Sequence, residues 1–177
     1  MMTIKEIKFK IENKFKKIKV RNNVYGFQIQ PKTRFLKGIS RIEIEKLEQL
    51  FGFDFPWDYR EMLLTIGGFD TLKISIDPKG EKETKFDDFF YQYPRDIDKS
   101  KWVLEDIDKF KTYAEDALIE AGFDVSKIVG YVPIYHHRAL VVFENKYLSP
   151  VISVWGADII VYGNNLKEYL KNEFLRF

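Results

Sequence analysis

The hydrophobic positions of this chain follow two rhythms. Ile4, Ile7, Ile11, Phe15 and Ile18 return at helical spacing, with lysines filling the other faces. Ile44, Leu47 and Phe51 repeat that period, as do Tyr59, Met62, Leu63 and Ile66. It recurs in Ile107, Phe110, Ala114, Ala117, Leu118 and Ala121, and finally in Leu166, Tyr169, Leu170 and Phe174. Between these stretches the rhythm is that of strands. Val24 to Gln30 and Thr71 to Ile76 read as short half-buried strands. Ile128 to Tyr135, Leu140 to Phe143, Val151 to Trp155 and Ile159 to Tyr162 are β-rich runs separated by turns. The near-continuous apolarity of LVVF, VISVW and IIVY predicts strands covered on both faces.

Punctuation sharpens these boundaries. Thr3 with Glu6, and Ser40 with Glu43, form capping boxes that start the first two helices. Gly52 is a left-handed stop, Pro56 opens the next helix, and Gly67-Gly68 closes it. Asp77-Pro78-Lys79-Gly80 is a turn by composition, and Gly122 ends the helix predicted over Glu105 to Ala121. Gly163-Asn164-Asn165 is a further turn, with an Asn able to cap the last helix. Glu81 to Lys101 has neither rhythm and reads as a long loop with one short element, of the kind that often carries function. No repeat or linker marks a domain boundary. The expectation is a basic amphipathic helix over residues 1–23 packed on a domain spanning 24–177. The class is α+β: a single domain with a mixed, mostly antiparallel sheet of about six strands flanked by helices.

Composition narrows the function classes. At 177 residues, 45% hydrophobic and 16% aromatic, the chain can build a substantial core, which excludes a disordered chain. Net charge is only +2, without the bias of a dedicated nucleic-acid binder. There is no cysteine, no apolar run of signal-peptide type and no membrane-length apolar window, so the expected location is cytoplasmic. The lysines of Lys5 to Arg21 leave two readings open. Their helix packs its apolar stripe on the domain, or it engages lipid or nucleic acid.

Candidate chemistry is sparse. His136 and His137 are the only histidines, adjacent and so pointing to opposite faces if they lie in a strand. A metal site needs three or four converging ligands, and no spacing here provides them. His137 or Arg138 pairing with Asp158 to tie neighbouring strands is the structural expectation, with a binding surface as the alternative. Neither a nucleophile elbow nor a phosphate-binding glycine loop is present. The predicted protein is therefore not an enzyme and uses no cofactor or metal. A stronger candidate is the loop in which Asp87, Asp88, Asp96 and Asp98 alternate with Phe90, Tyr91 and Tyr93. Aromatics anchor protein interfaces and carboxylates steer a basic partner. Burial of the same aromatics against the sheet is the other reading.

Two ordered blocks resemble the SUKH superfamily, the Smi/Knr type of domain. The first comprises Leu47, Leu50, Phe51, Gly52, Phe55, Pro56, Asp58, Tyr59, Leu63, Gly67 and Gly68. The second comprises Pro133, Ile134, His137, Arg138, Pro150, Val151, Ser153, Asp158, Tyr162, Gly163, Leu166 and Tyr169. Trp155, Val161 and the insertion at Glu81 to Lys101 depart from the family pattern. The resemblance implies structural roles for Pro56, Tyr59, Gly68, His137, Arg138, Asp158, Tyr162 and Gly163. It also implies a bacterial immunity protein that neutralises a cognate protein toxin by surface complementarity, without a small-molecule substrate, direct nucleic-acid contact or membrane insertion. If the toxin is a nuclease, its basic groove would meet Asp87 to Asp98. A regulatory scaffold of the cell-wall-synthesis type is the alternative that the resemblance allows. The sequence leaves the oligomeric state open.

Overall fold

The computed structural model describes residues 2–79 and 82–176, and for residues 82–85 the backbone alone. Gly80 of the expected turn, Glu81 at the head of the expected loop, and the terminal Met1 and Phe177 lie outside the described residues. The first helix, α1 (Ile4–Phe15), begins at the expected capping box. The Glu6 N–H donates to Thr3 Oγ1 at 3.2 Å and the Thr3 N–H to Glu6 Oε2 at 2.7 Å. Its apolar stripe is wholly used: Ile4, Ile7, Ile11 and Phe15 are buried in the main core. A short strand, β1 (Gly26–Gln28), precedes the helix pair α2 (Arg41–Phe51) and α3 (Trp57–Thr65). Ser40 and Glu43 cap α2, and Gly52 ends it at φ 80° in the left-handed region that a side chain disfavours.

Strands β2 (Lys73–Ile76) and β3 (Lys82–Phe86) join β1 in a three-stranded antiparallel sheet of order β1-β2-β3. Two helices follow, α4 (Ile97–Lys109) and α5 (Lys111–Glu120), hinged at Phe110. Strands β4 (Ile128–Tyr135), β5 (Arg138–Phe143), β6 (Val151–Trp155) and β7 (Asp158–Gly163) then form a four-stranded antiparallel meander. Helix α6 (Leu166–Leu175) closes the chain, with Asn165 Oδ1 accepting from the Glu168 N–H at 2.9 Å.

The α+β class and the antiparallel pairing match the expectation from patterning. The strands, however, divide into two sheets rather than lying in one. The single helix expected over Glu105 to Ala121 is the second half of a pair that starts at Ile97. The meander is a central layer with a core on each face. Leu140, Val142 and Val151 meet α1, α3 and α6, while Val141, Ile152 and Val154 meet α4 and α5. The β5 and β6 strands are thus buried on both sides, as their apolar runs require. No helix among the described residues is long and apolar enough to cross a membrane.

The residues expected to be structural explain the close approaches. Pro56 is the buried N-cap of α3, and Tyr59 is 1% exposed at the centre of the core. Gly68 has φ +107°, and a Cβ on Gly163 would strike the Tyr169 backbone. Glu48, 7% exposed, ties the α2–α3 corner. Its Oε1 accepts from the Phe55 N–H at 2.7 Å and from Arg60 Nε at 2.7 Å, while Oε2 pairs with Arg60 Nη2. Truncating it strands a buried N–H and a half-buried guanidinium. Glu48→Ala is expected to lower unfolding stability by about 2–3 kcal/mol, and Glu48→Gln by less, in urea melts. A Glu48→Ala loss within the range of an ordinary surface substitution, about 0.5 kcal/mol, would show that the corner holds without the pair.

Candidate protein-binding surface

The stretch Asp87–Asp98 does not form an open acidic face. Phe90 is 3% exposed and stacks against Phe174 of α6. Tyr93 is buried, with its hydroxyl donating to Pro133 O at 2.7 Å. Asp88 and Asp96 are buried as well. Burial, with the neighbouring Asp87 second, raises the Asp88 carboxyl above the ordinary range. Burial also acts to raise Asp96, but Arg95 and the Gln92 N–H outweigh it and hold the group low. These four residues build the loop and cannot meet a partner, which corrects the expectation for them. Asp87, Tyr91 and Asp98 remain reachable, Asp87 paired with Lys99 and Asp98 with Lys101. Three of the four carboxylates therefore find counterions within the chain.

The burial has a direct cause. The segment Phe89–Tyr91 lies along the edge of β4, where Phe90 bridges to Tyr135. The Tyr91 N–H donates to Ile134 O at 3.3 Å and the His136 N–H to Phe89 O at 2.9 Å. Phe90 enters the core against α6, while Phe89, also buried but left-handed at φ 67°, turns toward His136. There Phe89 stacks on His136 with ring centroids 4.5 Å apart. Lys73 of β2 supports both layers, its amine 4.7 Å from the Phe89 and Tyr135 rings. Burial lowers that amine to about 8.

What reaches solvent here is aromatic. A pocket of about 230 Å³ is lined by Phe86, Asp87, Phe89, Tyr91, Lys99, Trp102 and His136. Its floor is hydrogen-bonded, with Trp102 Nε1 donating to the Tyr91 hydroxyl at 3.1 Å and that hydroxyl donating to His136 O at 2.8 Å. Phe27 extends the pocket on one side, 4.8 Å from Phe86 and 4.9 Å from Phe89. Trp155 extends it on the other, 5.4 Å from His137. Phe27, Phe86 and Trp155 are 45%, 48% and 62% exposed, with Ile160 beyond them at 50%. The result is a ridge of large rings that crosses from one sheet to the other. Such contiguous exposed apolar surface marks interaction sites.

The His136-His137-Arg138 turn fixes the centre of the ridge. Arg138 does not reach Asp158, which is exposed and has no ion-pair partner among the described residues. Instead, Arg138 Nε donates to Glu173 Oε2 at 2.9 Å, Nη1 donates to Ser153 Oγ at 2.6 Å, and the guanidinium stacks 4.2 Å over Tyr162. The partner lies in α6, where sequence offered no pairing signal. Arg138 Nη1 also donates to His137 Nε2, and a guanidinium cannot accept. The His137 proton therefore sits on Nδ1, which faces His136 Nδ1 at 2.7 Å as donor to acceptor. Both rings are held neutral. No group of three or more His, Cys, Asp or Glu residues able to hold a metal occurs among the described residues.

A wider cleft of about 760 Å³ lies between α1, α3 and α6, with Trp57, Asp58, Glu61, Lys146 and Tyr147 on its walls. Its lysines are partly satisfied from within, Lys146 by Asp54 and Lys167 by Glu61.

Against known proteins, the family model for SMI1 / KNR4 (SUKH-1) matches residues 38–172, about three quarters of the chain. The chain belongs to the SMI1 / KNR4 family (SUKH-1). No curated protein and no solved structure matches it. The SUKH match runs from the residue before Ile39 to the middle of α6, so it contains the pocket, the histidine turn and Trp155. Helix α1 and Phe27 lie outside it. The exposed rings had one sequence signal, the phase of alternation in VISVW, which puts Trp155 on the same side as Ser153. Nothing local could pair Phe27 with Phe86.

The histidine turn generates a pH prediction. Burial, with Arg138 second, pushes His137 down from 6.5 to about 4, and burial lowers His136 in the same direction. A depressed histidine contributes stability that is full above about pH 6.5 and is lost as pH falls through about 4. Histidine ring signals followed by NMR should show His137 titrating near 4, and Arg138→Gln should raise that value. An unchanged titration in Arg138→Gln would remove Arg138 from the explanation.

Proposed function

We propose that this protein is a non-enzymatic immunity protein that binds a cognate bacterial toxin, such as a nuclease, and neutralises it by covering functional surface. SUKH-1 membership is consistent with an immunity-type protein. The observation that carries the reading to a place is the ridge of Phe27, Phe86 and Trp155 around a preformed pocket. Large rigid rings contribute contact area at small entropic cost, and interface hot spots are enriched in them. Asp87 and Tyr91 line this pocket, and the exposed Asp98 precedes its Lys99 in sequence; these reachable residues of the loop tune orientation and association rate. Binding of this kind needs neither turnover nor a cofactor.

The test is co-expression with a toxin encoded next to this gene, followed by growth rescue, copurification and titration. Rescue with a stable stoichiometric complex is expected. Trp155→Ala and Phe86→Ala should each weaken the complex by more than about thirtyfold, the scale of a hot-spot residue. Asp98→Asn should act mainly on association rate at low salt. Unchanged affinity in both aromatic variants would move the interface elsewhere. Failure of rescue with every neighbouring gene would reject the immunity reading itself.

A further inference from the structure

The outer face of α1 differs from the rest of the surface. Residues 1–21 carry eight cations against Glu6 and Glu12, a net +6 in a chain whose total is +2. Elsewhere nine lysines and arginines pair with carboxylates, yet no ion pair among the described residues involves any of these eight. Glu6 accepts from the Thr3 cap and Glu12 from the Phe35 N–H, and their two charges are already counted in the net +6.

Geometry gives this charge a direction. Ile4, Ile7, Ile11 and Phe15 face the core. At about 100° per residue, Phe9 falls on the opposite pole of the helix. It is 63% exposed, the farthest apolar side chain from the body of the domain on that helix. Lys5 and Lys16 flank it on one side and Lys10 on the other, all exposed. Met2 shares a shallow groove with Phe9, Lys5, Glu6 and Lys10, and also lines the cleft that holds Lys171 and Arg176 beside Glu61 and Glu168. Lys171 lies in α6, the helix packed beside α1, and Arg176 is its C-cap; neither forms an ion pair among the described residues.

We propose that this two-helix face docks peripherally on an anionic lipid bilayer. A bilayer presents phosphates at its surface and hydrocarbon just beneath. An apical ring flanked by ammonium groups matches that layering, the ring entering the acyl boundary while the lysines stay at phosphate level. The cations of the segment are lysines except for Arg21, point charges rather than the forked guanidinium that recognises nucleic acid. The buried stripe of α1 limits the contact to the surface, since it leaves Phe9 and Met2 as the apolar contribution. This contact uses none of the ridge residues, so it stands or falls separately from toxin binding.

The full chain should co-sediment with vesicles of equal parts phosphatidylglycerol and phosphatidylcholine, and not with phosphatidylcholine alone. Binding should weaken as salt rises. Each near-surface lysine contributes roughly fivefold, so the triple variant Lys5→Gln, Lys10→Gln, Lys16→Gln should bind about a hundredfold more weakly. Phe9→Ser should lose roughly tenfold. All four side chains are exposed, so unchanged circular dichroism and urea midpoints are expected and separate lost docking from lost folding. The proposal is overturned if the wild type sediments with neither vesicle, or if the triple variant binds as the wild type does. Tighter binding to duplex DNA than to the anionic vesicles at the same salt also overturns it.

Discussion

Six rings from six separate segments interlock beside the end of β4, and the fold depends on that junction. Phe69 lies 5.6 Å from Phe15 of α1, 4.9 Å from Phe35 and 4.8 Å from Phe90. Phe174 of α6 and Tyr135 of β4 close the cluster at 5.3 Å from each other. Most of these contacts are edge-to-face, the arrangement in which the positive rim of one ring meets the negative face of another. No pair of these segments is adjacent in sequence. The cluster therefore forms only when α1, α6, β4 and the segments carrying Phe35, Phe69 and Phe90 are in place together.

The junction also determines what the surface can present. With Phe90 drawn inward, Phe89 at φ 67° faces His136, and the pocket forms around that stacked pair. The histidines stay neutral because Arg138 saturates one and that ring in turn saturates the other. Glu173 balances the guanidinium, so the ridge has a charge-compensated base beneath its exposed rings. Rigidity at such a place lowers the ordering cost that binding would otherwise incur. The SUKH-1 match supplies the family, and the side chains at this junction supply a physical reason to place recognition here.

Much of the scaffold was legible because its signals are local. Capping boxes at Thr3 and Ser40, the Gly52 stop and the strand runs after Ile128 each depend on neighbours a few residues away, and each is where patterning put it. The first half of α4 was not legible. Its buried stripe is Ser100, Val103 and Ile107, and a serine bonding back to Ile97 O carries no hydrophobic signal. The break at Phe110 was hidden because apolar spacing continues straight across it. The acidic loop misled for another reason: composition counts carboxylates but not their counterions, and Asp87 finds Lys99 in the first turn of α4. Arg138 and Glu173 are likewise paired by topology alone.

The segment running beside β4 has one more consequence. A β-sheet that stacks copies edge to edge without limit needs two free edges, since each added copy must leave a place for the next. Along the second half of β4 that place is taken by Phe89–Tyr91. Pairing of another copy with that stretch of the meander's edge is therefore blocked. The same loop that shapes the pocket thus also guards this edge of an aromatic-rich protein against edge-to-edge stacking.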